Sequence, residues 1–459
     1  RGRTMSSISR REFLAASAAA SVYTAHAAEP RLTIATFAEE VSPPIGHPCM
    51  GGGIAPVKEI VDPLYANGFV LHGAGDPIVL VAVDWCEIRN DAYDRWRDAV
   101  AETVGTKRER VLVMALHQHD APVADLTAQK LLDDAKAKGA ICDLDFHEKT
   151  VRRVAKAARG AMAKPRRITH IGTGQAKVEQ VASNRRYVDE GGRVQHNRMS
   201  ATRDPKIRAA EEGLVDPFLK TLSLWDGDQA VLAVSAYATH PMSFYGKGGA
   251  SSDFVGLARK LQQAEVPGTM QIYLSGCSGN VTAGKYNDGA ADNRIELAKR
   301  MHTAMRAAWK NTMRQPIMAC SFQSTTLRLP ARSGKGFTKE DLAHRIKEDA
   351  KPFGQCLAAL GLSWRQRVEA DRPIDVCAID FGGPAILLLP AEAYVEYQLM
   401  AQAARPRGFV VTAGYGECGP GYIPTEQAWK ENDGNLADWC WVDPGCEAKM
   451  KAAIETVLK

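Results

Sequence analysis

Long apolar runs rich in β-branched residues recur along the chain, and each ends abruptly in polar or reactive side chains. "IVLVAVDWCE" runs into Asp84, "VLVMALHQHD" into His117, His119 and Asp120, and "AVLAVSAYATHPMS" into His240. "MQIYLSGCSGNVT" ends on Ser278, Asn280 and Thr282, "PAILLLPAEAY" on Glu392, and "GFVVTAGYGECGPGY" on Tyr415 and Tyr422. Unbroken apolar runs of this length mark strands buried on both faces. Between them lie segments of helical periodicity: "DAYDRWRDAVAETVG", "FHEKTVRRVAKAARGAMA", "RIELAKRMHTAMRAAWK" and "EAYVEYQLMAQAA". The alternation predicts an α/β fold, a mixed or parallel sheet core flanked by helices in one large catalytic domain. In such folds the ligand crevice lies outside the carboxyl ends of the strands. The polar residues cluster at those ends, which predicts that they share one site.

Two segments break the rhythm. Residues 334–370 are charged and helical, interrupted by Pro352 and Gly354, and read as a helical insertion: a solvated helical pair or a lid. The polar, glycine-containing stretch Asn184 to Arg198 reads as a loop at the border of the site or on open surface.

The 459 residues are 45% hydrophobic and 24% charged, an ordinary globular balance with room for a substantial core. The formal charge is +5. Arg1, Arg3, Arg10 and Arg11 against Glu12 supply most of it, and the remainder is close to neutral, which argues against nucleic acid. Residues 1–27 read as a twin-arginine export signal: Arg10-Arg11, then Phe13-Leu14, a small apolar stretch, and Ala25-His26-Ala27 as cleavage site. Met5 is the expected start, and the mature protein, residues 28–459, is expected in the periplasm or outside the cell. No later segment is apolar enough to span a membrane. The ten cysteines contain no C-x-x-C pair, which argues against a zinc knuckle, and a bridge among Cys418, Cys440 and Cys446 is plausible.

The chemistry concentrates in "VLVMALHQHDAP". Side chains two apart on a strand share a face, so His117 and His119 are expected to look at one point. Paired imidazoles suggest a metal or a proton relay. A catalytic zinc takes about three protein ligands and keeps a position for water. His117, His240 and Glu392 each follow an apolar run, so three strands can converge on one ion, with His119 beside it as ligand or base. Glu392 also suits a helix start, where the dipole favours a carboxylate. There is no H-E-x-x-H, and "HQHDAP" lacks the fuller H-x-H-x-D-H run of metallo-β-lactamases.

Several stretches, in order, resemble the catalytic domain of the neutral/alkaline non-lysosomal ceramidases. "VLVMALHQHDAP" resembles the strand ending in H-T-H-S-G-P-G-G, "SNRRYV" the N-R-S-P stretch, and "AYATHPMS" the strand bearing the second zinc histidine. "SGCSGNVTAG" is similar to G-D-V-S-P-N, "LLLPAEAY" to the segment with P-G-E, and "GYIPTEQAW" to G-Y-x-T-T-x-E-E-Y. The resemblance implies one zinc per chain held by His117, His240, Glu392 and Tyr422. It implies His119 as the base, Arg185 as a substrate holder and Tyr422 beside the reacting carbonyl. It also implies hydrolysis of an N-acyl amide in a small or lipid-like substrate. Asp84 is then a partner that orients a histidine, with Asp120, Asn280 and Thr282 around the site. The flanking residues depart from the family. Asp120 to Ala124 replace S-G-P-G-G, Asn280 and Thr282 replace an aspartate and a serine, and no C-terminal immunoglobulin-like domain is expected. A divergent member is therefore expected, with ester, lactone or phosphoester hydrolysis, or an inactive ligand-binding relative, as alternatives.

Overall fold

The computed structural model describes residues 32–459, so the expected leader, residues 1–27, lies outside the described residues. Three successive stretches of chain build three sheets on one plan. In the first, β1 (Leu32–Glu40), β2 (Tyr65–His72) and β3 (Ile78–Val83) form an antiparallel meander; α1 (Asn90–Val104) crosses over, and β4 (Val111–Ala115) returns parallel to β3. Then α2 (Leu144–Ala161) leads to β5 (Arg166–Ile168), which pairs with β1. The second unit repeats this path with β6 (His170–Lys177), β7 (Phe218–Asp226), β8 (Gln229–Tyr237), α3 (Asp253–Glu265) and β9 (Met270–Ser275). It continues with α4 (Asn293–Lys310) and β10 (Met313–Pro316), which pairs with β6. The third follows with β11 (Ser321–Leu327), then α5 (Lys339–Glu348) and α6 (Pro352–Glu369) as an insertion before β12 (Ile374–Asp380) and β13 (Pro384–Leu388). It ends with α7 (Val395–Ala404), β14 (Phe409–Ala413) parallel to β13, and α8 (Cys446–Val457).

The fold is thus α/β with mixed sheets, but each sheet is largely antiparallel and holds one parallel pair at an edge. Alternation along the buried strands explains the assembly. In β3, Ile78, Leu80 and Ala82 join a central cluster, while Val79, Val81 and Val83 face outward into a second one. All three sheets give one face to that centre, among them Met114, Val234, Ile272, Ile386 and Val411. The outer faces are covered by helices: Trp96, Val151, Leu360 and Ile454 over the first and third sheets, Phe254 and Met301 over the second.

The insertion is not a solvated helical pair. In α6, Cys356 to Trp364 are buried, because its apolar face packs into the outer cluster. The cysteine expectation also needs correction: all ten are free. Cys418, Cys440 and Cys446 sit apart as buried thiols that donate to the carbonyls of Gly416, Tyr422 and Asp443 at 3.2, 3.5 and 3.2 Å. No helix among the described residues is long and apolar enough to cross a membrane.

Candidate metal centre

The carboxyl ends of the three parallel pairs meet at one place. The first pair, β3 and β4, delivers Glu87, His117 and His119; the second delivers His240 and Ser278; the third delivers Glu392, Tyr415 and Tyr422. Short pairings fix the exits: Glu392 aligns with Tyr422 in a two-residue parallel ladder, and Glu87 with Val123 in another. His117 lies two residues beyond the end of β4 with φ +72°, and Tyr415 and Ala391 have φ +58° and +52°. Such conformations are costly for residues with side chains and persist only where surrounding structure holds them. The two histidines therefore converge through a turn, not through strand alternation. Close packing contributes as well. A Cβ on Gly279 would stand 2.2 Å from the Glu392 carbonyl oxygen, so a side chain there would push the carboxylate strand away.

The donor atoms are aimed by backbone carbonyls. His117 Nδ1 lies 3.0 Å from the Cys86 carbonyl, and His240 Nδ1 lies 2.5 Å from that of Ser278. A carbonyl only accepts, so each Nδ1 carries the proton and each Nε2 keeps its lone pair. Those Nε2 atoms stand 3.2 and 2.9 Å from the same oxygen, Glu392 Oε2. His119 joins them edge-on, its ring centroid 5.4 Å from that of His117, with Nδ1 unpartnered. His117 Nε2 and Glu392 Oε1 also lack hydrogen-bond partners although buried. His117, His119 and His240 offer nitrogens within 4.8 Å of one another, and Glu87, His117 and Glu392 do the same with a nitrogen and two oxygens. With both imidazoles neutral, the converging lone pairs are the donor set of a divalent cation. The residues present fit one.

Electrostatics follow from burial and proximity. Burial alone would raise the carboxyl of Glu392, but the two imidazoles outweigh it and hold it well below its usual range. Burial lowers His117, and Glu392 more than restores it, so this imidazole ends above its ordinary value. His240 is pushed down to about 4 by burial and by the Arg185 guanidinium. His119 falls well below the usual imidazole value through burial, then through its two histidine neighbours. Arg185 Nη1 donates to the Tyr422 hydroxyl at 2.7 Å and to Asn435 Oδ1 at 3.1 Å, and its Nη2 lies 3.4 Å from His240 Nε2. Burial raises the Tyr422 phenol, which stays protonated. Tyr415 stacks on His117 with centroids 4.2 Å apart and bonds Ser278 at 2.7 Å.

Of the expected site residues, His117, His119, His240, Glu392, Tyr422 and Arg185 come together. The others serve elsewhere. Asp84 is bound by both terminal nitrogens of Arg259 at 2.7 Å, so its carboxylate does not orient a histidine. Asp120 accepts from the Gly246 amide, Asn280 bonds Glu396 and the Val395 amide, and Thr282 donates to the Met199 carbonyl. Arg185 is the part of the Asn184 to Arg198 stretch that reaches the centre. Beyond it the chain turns back as a short hairpin, Tyr187–Val188 against Val194–Gln195. Sequence reasoning overlooked Glu87, although it lies four residues past its strand as Glu392 does. It also overlooked the walls. A cavity of about 190 Å³ opens onto His117, His119, Glu392 and Tyr422, lined by Met50, Phe353, Leu357 and Trp439, with Asp438 at its edge. Phe353 and Leu357 come from α6, so the insertion builds part of the pocket.

No protein-family model matches the chain, and no curated protein matches it in sequence. Among solved structures, a ceramidase complexed with C2 superposes with a TM-score of 0.68 at 16% identity, over 94% of this chain and 75% of the other. The neutral ceramidase from Pseudomonas aeruginosa superposes equally well, at 16% identity over 94% of this chain and 74% of its own. The chain has the neutral ceramidase fold. Identity this low leaves the substrate to be argued from the site itself.

Proposed function

We propose that this ceramidase-fold chain is a metal-dependent hydrolase, with zinc the preferred ion, that cleaves an N-acyl amide. The observation that carries this is the convergence of His117, His240 and Glu392 from three sheets onto one point with their lone pairs inward. A divalent cation held there acidifies water and polarises an acyl carbonyl. Imidazole and carboxylate donors also accept iron, cobalt or nickel, so zinc is the resemblance's preference.

The remaining roles belong to the chain's own groups. His119 lines the pocket with an unpartnered nitrogen, placed to take a proton from water and return it to the leaving amine. Because Arg185 already donates to the Tyr422 oxygen, the phenol's own hydrogen is free for an oxyanion developing on the carbonyl. Tyr422 therefore suits that donor role as well as the ligand role implied by the resemblance. The apolar walls, Met50, Phe353, Leu357 and Trp439, suit an apolar acyl group and keep water sparse around the reacting bond. Export through a twin-arginine signal would place the activity outside the cytoplasm.

Metal content of the purified chain tests the reading. About one zinc per chain is expected, lost in His117→Ala and Glu392→Ala, together with turnover of fluorogenic N-acyl amides. A wild-type chain that holds no metal after zinc loading overturns the reading. Turnover of esters alone would move the chemistry to C–O bonds.

A further inference from the structure

The three-unit plan assigns equivalent positions to residues that share no sequence. Glu87 and Glu392 each lie four residues past the third strand of their unit, and His240 lies three past β8. Glu87 and Glu392 each enter a two-residue parallel ladder with the segment that follows the fourth strand, Val123 in one case and Tyr422 in the other. One such position from each unit thus lies at the centre or directly behind one of its histidines. Two of the three are the candidate ligands His240 and Glu392. The third is a glutamate for which the expected ligand set has no role.

We propose that Glu87 is a positioning residue of the metal centre, the counterpart of Glu392 in the first unit, and that its carboxylate tightens cation binding through His117. This rests on the metal-centre reading. Glu87 is fully buried, with Oε1 3.9 Å from His117 Nδ1, the nitrogen that already donates to the Cys86 carbonyl. A negative charge behind that N–H favours electron density at the opposite nitrogen, the one aimed at Glu392. The carboxylate is held rigidly for the task. Arg89 Nη1 donates to its Oε2 at 2.6 Å, and Trp439 Nε1 donates to Oε1 at 3.1 Å. Arg89 is itself shared with Asp125, 3.6 Å from its Nε, and is tied to the Gly419 carbonyl at 2.9 Å. Because one guanidinium serves two carboxylates, Glu87 is not fully neutralised by it, and the oxygen nearest His117 is Oε1, the one Trp439 holds rather than Arg89. Burying a charge this deep is costly unless it is paired and hydrogen-bonded, and Arg89 and Trp439 supply both.

Zinc affinity, measured by competition with a chelator, and the visible spectrum of the cobalt-loaded chain test the assignment. Glu87→Gln should weaken zinc binding about 10- to 100-fold and shift the cobalt bands. Glu87→Asp keeps the charge beside Arg89 but withdraws it from His117, and should give an intermediate loss. Wild-type affinity and an unchanged cobalt spectrum in Glu87→Gln, whatever its melting temperature, reduce Glu87 to a packing role and overturn the proposal. Should Glu87→Gln not fold, unchanged affinity in Glu87→Asp overturns it equally. A wild-type chain without metal overturns the metal-centre reading and this inference with it, whereas a metal-loaded wild type beside indifferent Glu87 variants overturns the inference alone.

Discussion

Two buried polar clusters lie past the carboxyl ends of the parallel pairs, and they could hardly be more different. Asp84, at the end of β3, meets Arg259 of α3 in a two-pronged ion pair and also accepts from the Tyr65 amide at 2.9 Å. Both of its oxygens are satisfied, and the pair clamps the first unit to the second. At the candidate metal centre, His117, His119 and Glu392 carry atoms that are just as buried and have no partner. Buried polar groups are normally paired, because an unpaired one costs about 1–3 kcal/mol. A satisfied cluster holds a fold together. An unsatisfied one that converges on a single point awaits a ligand.

The sharpest way to break this contrast is Asp84→Asn. Leaving Arg259 buried without its anionic partner should cost about 3–5 kcal/mol of stability. Zinc bound per folded chain should stay at the wild-type value; loss of zinc at unchanged stability would instead make Asp84 part of the centre. Tyr422→Phe probes the other cluster. Removing one oxyanion donor should lower kcat about 10²-fold with KM nearly unchanged, and with a smaller stability loss than Asp84→Asn because Arg185 keeps Asn435 as an acceptor. A variant with full turnover would remove the phenol from the chemistry.

His147 supplies the intermediate case. Its Nε2 is also unpartnered, yet no other ligand atom converges on it; the ring packs against Trp85 and Trp96, with Glu148, Asp91 and Arg95 as its charged neighbours. Burial pushes its pKa down to about 4. The unfolded chain binds a proton near pH 6.5, whereas the folded chain refuses it until about pH 4. Stability contributed by the neutral ring is therefore complete above pH 6.5 and lost as pH falls towards 4, by roughly 3 kcal/mol in all. Denaturant melts across that range should show the slope in wild type and a shallower one in His147→Phe, the remainder coming from His240 and His119. An unchanged slope would place the titrating group elsewhere.

What the sequence revealed follows the same division between buried and exposed. The six strands β3, β4, β8, β9, β13 and β14 were legible because both their faces are buried, which makes their residues uniformly apolar. The outer strands of the meanders were not. "HIGTGQAK" of β6 and "SFQSTTL" of β11 are too polar and too exposed to announce themselves. The three-unit plan was hidden because it resides in the backbone path, with no repeated residues to signal it. His117, His240 and Glu392 were legible because each interrupts an apolar run. Glu87 was passed over because Asp84 is the first polar residue after the same run, although the four-residue spacing shared with Glu392 marked it. The apolar wall from α6 was missed because charged residues in 334–370 masked a helix with one strongly buried face.

The three-unit plan also sets the moment at which the centre can exist. Within each unit, neighbouring strands lie close in sequence and can pair early, whereas His240 and Glu392 meet across 152 residues. As the chain is synthesised, the histidines emerge well before the carboxylate they share. A nascent chain that has not yet produced Glu392 offers two imidazoles and no anion, and the turn holding Tyr415 against His117 has not yet been made. On the proposed reading, metal capture is therefore a late event that marks a finished fold, and a chain stalled before its third unit would lack the carboxylate of the centre.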